Sequence, residues 1–287
     1  MEPSELRRAV TAAKLTASEL DLPADDAVVL HDSNRVALRL MPCDIVARVA
    51  GSAHAAGTAL EIEIAGRLAE FDTPVAALEP RVGRRVYKHD GFLITLWTYY
   101  EPVSRQGVLP ADYAGALKRL HAGLRNLDVV TPHFTERVAE AQQLVARPDL
   151  TPTLADADRE LLYNALRSVT RAIAHRGAAE QVLHGEPHPG NVLTTMKGPL
   201  FVDFETVCRG PVEFDLAHVP EEVSDRYSDV DRELVRTCRG LVLAMVAAWR
   251  FDRSDLLPNG HRAARELINA LREGPPYPPL NSMMGDS

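Results

Sequence analysis

A carboxylate, an amide and a second carboxylate follow one another in one polar stretch: Glu186, Asn191 and Asp203. The stretch reads Val182-Leu183-His184-Gly185-Glu186-Pro187-His188-Pro189-Gly190-Asn191-Val192-Leu193, then Leu200-Phe201-Val202-Asp203-Phe204-Glu205. A carboxylate on a loop can lie against the proton of an alcohol, aligning its oxygen and accepting the proton. An amide oxygen and a carboxylate are hard ligands that suit Mg²⁺, which keeps part of its water shell and needs few protein donors. Those are the requirements of phosphoryl transfer, in which a protein contributes positioning and charge neutralisation more than covalent chemistry. Pro187, Pro189 and Gly190 exclude a regular strand or helix across the loop. A hairpin through Met196-Lys197-Gly198-Pro199 is expected to return the chain and present Asp203 at a strand end.

The same residues admit a different chemistry. His184, Glu186 and His188 alternate, and on a strand they would share one face as a metal triad. The prolines of the loop oppose that geometry. His184 by itself reads as structural, its ring bonding loop backbone, while His188 is open between a structural and a functional role.

Around this stretch the pattern changes once along the chain. Helical periodicity over residues 4–20 is followed by β-type runs at Ala27–His31, Arg35–Leu40 and Asp44–Val49, then a helix at Thr58–Phe71 with Leu60, Ile64 and Leu68 on one face. Two further strands are expected at Arg84–Lys88 and Phe92–Trp97, joined by the Asp-Gly hairpin signal of His89-Asp90-Gly91. Beyond Tyr99 amphipathic helices dominate, near residues 111–125, 134–146, 155–176, 230–250 and 260–272. The sequence thus predicts an α+β chain: a small β-rich N-terminal lobe over 1–98 and a larger helical C-terminal lobe over 99–287, hinged near residue 99.

Composition narrows the class. A net charge of −8 argues against a nucleic-acid binder and suits a cationic small molecule. The apolar run Leu241–Trp249 is too short to span a bilayer, and the acidic first residues have no apolar signal segment, so no membrane role is expected and cytoplasm is the default. Cys43, Cys208 and Cys238 have no paired spacing and read as reduced thiols. Nothing in the sequence sets the oligomeric state.

The spacing from Glu186 to Asn191 equals that of the protein-kinase catalytic loop. With His184-Gly185-Glu186, His188, Asn191, Asp203-Phe204-Glu205, Gly210-Pro211 and Asp215-Leu216-Ala217, the chain resembles the aminoglycoside phosphotransferase family, which shares its bilobal fold with choline kinases and protein kinases. The resemblance implies ATP or GTP as phosphoryl donor, Mg²⁺ bound by Asn191 and Asp203, and a residue at 186 that aligns or deprotonates the hydroxyl of a small-molecule acceptor. It implies that Asp215 braces the catalytic loop through its backbone and that the hinge Trp97-Thr98-Tyr99-Tyr100 holds the adenine. The acceptor would lie among Glu205, Glu213, Glu221, Glu222 and Asp225, which suit the amines of an aminoglycoside-like or amino-sugar substrate.

Three positions depart from the family pattern. Glu186 replaces the usual Asp, moving the carboxylate by about 1.5 Å on a fixed backbone. Arg48 stands for the phosphate-contacting Lys, expected to pair with Glu61, with Glu63 as the competitor. The nucleotide loop Asp32-Ser33-Asn34-Arg35 has no glycine, so Ser33, Asn34 and backbone amides would serve. These departures keep a second reading open, a catalytically weak nucleotide-binding protein with a regulatory role.

Overall fold

The computed structural model describes residues 1–32, 35–103, 107–255, 257 and 259–283. The chain packs as two compact units: residues 1–106 with 193–206, and residues 107–192 with 207–287. The sequence alone places a single division near residue 99. The structure sets it after 106 and returns the segment 193–206 to the first unit, because that segment is stitched to residues 74–76. Ala76 N–H donates to the Phe201 carbonyl at 3.0 Å and Phe201 N–H to that of Pro74 at 2.8 Å.

The first unit is built on an antiparallel sheet of β1 (Ala24–Asp32), β2 (Val36–Pro42), β3 (Ile45–Gly51), β4 (Tyr87–His89) and β5 (Phe92–Thr98), in the order β1-β2-β3-β5-β4. Helix α1 (Pro3–Ser18) covers one face, its Ala9, Ala12, Ala13 and Ala17 buried against Ile45, Ala47, Val49 and Ile94. Strand side chains alternate faces, so Val46 and Arg48 point the other way. There Val46 joins Trp97, Leu78 and, from helix α2 (Ala55–Leu68), Ile62 and Ala65. The β4–β5 hairpin closes on Asp90 and Gly91, both at positive φ (48° and 80°), the geometry that an Asp-Gly turn favours. The expected strand over 84–88 shrinks to Tyr87–His89, since Arg85 N–H turns back to the Gly83 carbonyl.

The second unit is helical: α3 (Pro110–Arg125), α4 (Phe134–Val145), α5 (Asp156–Arg176), short α6 (Val212–Leu216) and α7 (Glu221–Ser224), then α8 (Arg232–Arg250) and α9 (Gly260–Glu273). Helix α8 is buried without a break from Cys238 to Ala248 and packs against α4, α5, α6 and α9. Its first turn is capped by Asp231, which accepts from Glu233 and Leu234 N–H. Strands β6 (Glu180–Leu183) and β9 (Cys208–Pro211) pair antiparallel beside these helices. The remaining pair, β7 (Val192–Thr195) and β8 (Gly198–Phe201), forms the expected hairpin ahead of Asp203. Among the described residues no helix is long and apolar enough to cross a membrane.

Candidate active site

In the first unit the site is a knot of charge. Arg48 leaves the outer face of β3 and its Nη1 donates to Glu61 Oε1 on α2, while its Nη2 forms an ion pair with Asp203 Oδ1 at 2.8 Å. Glu61 is wholly buried and also accepts from Arg35 Nη1 at 2.8 Å and from Phe204 N–H at 3.3 Å. Glu63 instead points outward and pairs with Arg67 one turn on. Burial pushes the Glu61 carboxyl up and the Asp203 charge adds to that, with both guanidiniums opposing. Burial works against the Arg48 charge, but Glu61 and Asp203 outweigh it and hold the guanidinium protonated. Burial lowers Arg35, the last residue of the expected nucleotide loop, whose Nη2 is ion-paired with Glu205.

Asp203 occupies a left-handed backbone conformation (φ 69°) between β8 and a single 3₁₀ turn over Phe204–Thr206. Aspartate tolerates this region better than most residues. Its Oδ1 is buried and, the ion pair apart, accepts no hydrogen bond. A carboxylate oxygen short of donors on a constrained turn fits a hard cation.

Of the residues expected to bind the nucleotide, Ser33 and Asn34 of the loop lie outside the described residues, and the hinge expected to hold the base begins at Trp97. Trp97 is buried in the core, its Nε1 donating to Thr95 Oγ1. Thr98 N–H is spent on the Ala77 carbonyl at 2.9 Å. The Tyr99 ring lies under Arg39 at 3.8 Å and its hydroxyl donates to Glu101. The Tyr100 hydroxyl accepts from Ala77 N–H. The aromatic side chains here brace the strand end.

In the second unit the site is a braced loop. Asp215 of α6 is fully buried and accepts from His184 N–H (2.9 Å), Gly185 N–H (2.8 Å) and His121 Nε2 (2.9 Å), the last from α3. Burial works to raise Asp215, but these donors win and hold its carboxyl below the ordinary range. Gly185 sits at φ 92°, which excludes a side chain at the turn where the backbone meets Asp215. His184 Nδ1 accepts from Glu186 N–H at 3.4 Å, and His188 Nδ1 from Gly190 N–H at 3.1 Å. Tyr113 of α3 donates to the Pro187 carbonyl. Asn191 donates through Nδ2 to the Glu186 carbonyl at 3.0 Å, which leaves its Oδ1 as an acceptor of the kind that suits a metal.

Glu186 Oε1 accepts from Arg137 Nη2 of α4 at 2.5 Å. Burial raises Glu186, but the Arg137 charge, with contributions from His218 and His188, overrides it and holds the carboxyl at about 2. His218, two residues past α6, is buried with neither ring nitrogen hydrogen-bonded, and burial drops it to about 4. No group of three His, Cys, Asp or Glu residues among the described ones converges to hold a metal, so the alternating triad His184, Glu186 and His188 does not form. Of the acceptor candidates, Glu205 is taken by Arg35, and buried Glu213 accepts from Asp231 N–H at 3.1 Å. Glu221 is exposed and reaches Arg239 at 3.4 Å.

Sequence reasoning passed over the roles of Arg35, His121, Arg137 and His218. Their partners are distant along the chain, and an arginine on an amphipathic helix carries no local mark of its use.

Comparisons with known proteins identify the fold and the family. No curated protein matches the chain. Among solved structures, an amicoumacin kinase in complex with AMP-PNP, Ca²⁺ and Ami superposes with a TM-score of 0.69 at 12% identity, covering 99% of this chain and 100% of that one. A choline kinase from Streptococcus pneumoniae gives 0.64 at 15% identity, covering 91% and 97%. An aminoglycoside phosphotransferase from Streptomyces rimosus, in complex with ADP and streptomycin, gives 0.58 at 18%, covering 91% and 96%. At these identities the likeness shows the fold, which is protein-kinase-like, with a β-sheet N-terminal region and a helical C-terminal part. The model of the phosphotransferase enzyme family matches residues 25–267, most of the chain, and the chain belongs to that family.

Proposed function

We propose that the chain moves the γ-phosphoryl group of ATP or GTP to a hydroxyl of a small molecule, with Mg²⁺ as the metal. The observation that carries this reading is the Arg48–Glu61 pair, a cation fixed on a strand by a buried helical carboxylate, with Asp203 as its second partner. In this reading Arg48 turns to the phosphates, Asn191 and Asp203 are the metal ligands, and Glu186 aligns the acceptor hydroxyl. Asp215, His184 and His188 hold the loop in shape. Bound Mg²⁺ supplies positive charge against the bridging and leaving oxygens. Contact with the base falls to backbone groups of residues 97–99 other than Thr98 N–H. The buried free thiols suit a reducing cytoplasm.

Amine-bearing acceptors are one class to test, since the likenesses include proteins named for choline and aminoglycosides. Of the acidic residues expected to receive amines, Glu205, Glu213, Glu221 and Asp225 are already engaged, which broadens the panel to sugars, amino sugars and choline-like alcohols. The expected result is acceptor-dependent release of the nucleoside diphosphate that Glu186→Ala lowers about 10²-fold.

A second reading is favoured by one observation: both carboxylates assigned to chemistry, Glu186 and Asp203, are ion-paired with arginine. A nucleotide-binding protein of weak catalytic power would show nucleotide affinity without acceptor-dependent turnover, and Glu186→Ala would leave its behaviour unchanged.

A further inference from the structure

Glu186 has three side-chain torsions and stands on a loop without regular structure, so its carboxylate needs an external hold. That hold comes from another element. Arg137 projects from α4, its guanidinium lies 4.8 Å from the ring centroid of Trp249 on α8, and its Nη2 grips Glu186 Oε1. A guanidinium held over an aromatic face loses less freedom when it bonds. Arg137 thereby joins two helices of the second unit to one oxygen of the loop carboxylate. Among the described residues no donor engages Oε2, which is the oxygen left for a ligand.

We infer that Arg137, braced by Trp249, is a positioning residue that aims the Glu186 carboxylate, so that Glu186 orients the acceptor hydroxyl. The inference rests on the proposed phosphotransfer and deepens it. As the hydroxyl oxygen bonds to the γ-phosphorus, the bond to the β,γ-bridging oxygen breaks and the nucleoside diphosphate leaves. The hydroxyl proton ends on a non-bridging oxygen of the new phosphate ester and is lost to water. A loose transition state needs little base strength from the protein, so an aligned, weakly basic carboxylate suffices.

The charged and titratable groups facing Glu186 come from several elements: Arg137 and, behind it, Glu140 on α4, His218 beyond α6, Cys208 on β9, and His188 on its own loop. Arg137 is the one that both contacts Glu186 and carries a permanent charge. The low value of the Glu186 carboxyl agrees with that contact.

The test reads side-chain order and turnover at one pH. With ¹³C-carboxyl glutamate at pH 7.5, assigned by Glu186→Gln, the Glu186 resonance should be distinct from that of a freely rotating glutamate in the unsubstituted chain and move toward it in Arg137→Met, less so in Arg137→Lys and Trp249→Leu. Turnover in Arg137→Met should fall about 10²-fold in kcat with the nucleotide KM unchanged, and Arg137→Lys should restore part of it. A Glu186 resonance unchanged in both Arg137→Met and Trp249→Leu overturns the inference, whatever the turnover. Absence of turnover in the unsubstituted chain with every acceptor breaks the phosphotransferase reading and leaves the resonance to decide on Arg137. If Arg137→Met does not fold, the same comparison is read from Arg137→Lys and Trp249→Leu.

Discussion

Two aspartates, Asp203 in the first unit and Asp215 in the second, show how differently one side chain can be kept. Asp215 has no exposure and three donors, two of them backbone N–H groups of the loop it supports. Asp203 retains 28% side-chain exposure, sits at positive φ, and is held by a single arginine without hydrogen-bond geometry at Oδ1. A carboxylate saturated by fixed amides has nothing left to give to a ligand and serves as structure. One balanced by a single cation can exchange that partner for another charge. At these two positions the holds differ, arginine at Asp203 and hydrogen bonds at Asp215, and this divides the carboxylate able to take a ligand from the one that stays.

The division is broken most directly at Asp203. Asparagine keeps the shape and tolerates the left-handed backbone, while Arg48 keeps Glu61, so the fold of Asp203→Asn should persist. Phosphotransfer should fall by about 10³-fold or more, the scale of losing a preorganised charge-stabilising group. Turnover and circular dichroism on one sample check both halves, and retained activity would sink the metal assignment. Asp215→Ala should do the reverse, acting first on stability. It leaves His184 N–H, Gly185 N–H and His121 Nε2 buried without an acceptor, a loss of roughly 3–5 kcal/mol visible in the denaturation midpoint.

His218 sharpens the comparison through pH. Burial dominates its environment, with Glu186 and Asp215 pulling its pKa up and Arg137 and His188 pushing it down, and the result is about 4 against an ordinary 6.5. The folded chain therefore keeps it neutral while the unfolded chain takes up a proton first. Stability should fall as pH drops from about 6.5 to about 4, by about 3 kcal/mol at most, and then level for this group. The depressed carboxyls of Glu186 and Asp215 act only lower, since their contribution is present above the unfolded carboxylate range and is lost as pH falls through their folded values. Denaturation midpoints of the chain and of His218→Gln across that window give the difference. Equal slopes would mean that the ring already has a partner or is charged.

Much of this was legible in the sequence where the signal is local. The alternation in β3 separates Arg48 from Ile45, Ala47 and Val49. On α2, Glu61 falls on the stripe with Ile64, Ala65 and Leu68, and Glu63 falls off it, which is why the first is buried and the second exposed. The Asp90-Gly91 turn is likewise dictated by two residues that accept positive φ. Asp215 could be placed only by resemblance, because its donors lie 30 and 31 residues back and its His121 contact 94. The grip of Arg137 on Glu186 spans 49 residues, and no periodicity in α4 marks Arg137 apart from its other polar positions. Helices α6 and α7 are five and four residues long, too short for a period to register. The segment 193–206 goes with the first unit because of backbone pairing to residues 74–76, a non-local choice that the sequence does not announce.

Arg35 offers the gentlest probe of the first unit. It is buried, bonded to Glu61 and ion-paired with Glu205, and would count as essential if buried ion pairs were always structural. Replacing it with methionine leaves Glu61 with Arg48 and leaves Glu205, a quarter exposed at 26%, to water. No buried charge is stranded, and an apolar side chain of similar length fills the space, so stability should change by about 1 kcal/mol or less. What should move is affinity for a divalent cation, because one positive charge is removed from among Glu61, Asp203 and Glu205. Mn²⁺ titrations of the chain without nucleotide should show a few-fold tightening in Arg35→Met, weaker in high salt. A fall of 3 kcal/mol in stability with unchanged Mn²⁺ affinity would instead make the arginine cluster a fixed brace like the one around Asp215, and the contrast between the two aspartates would fail at its smaller end.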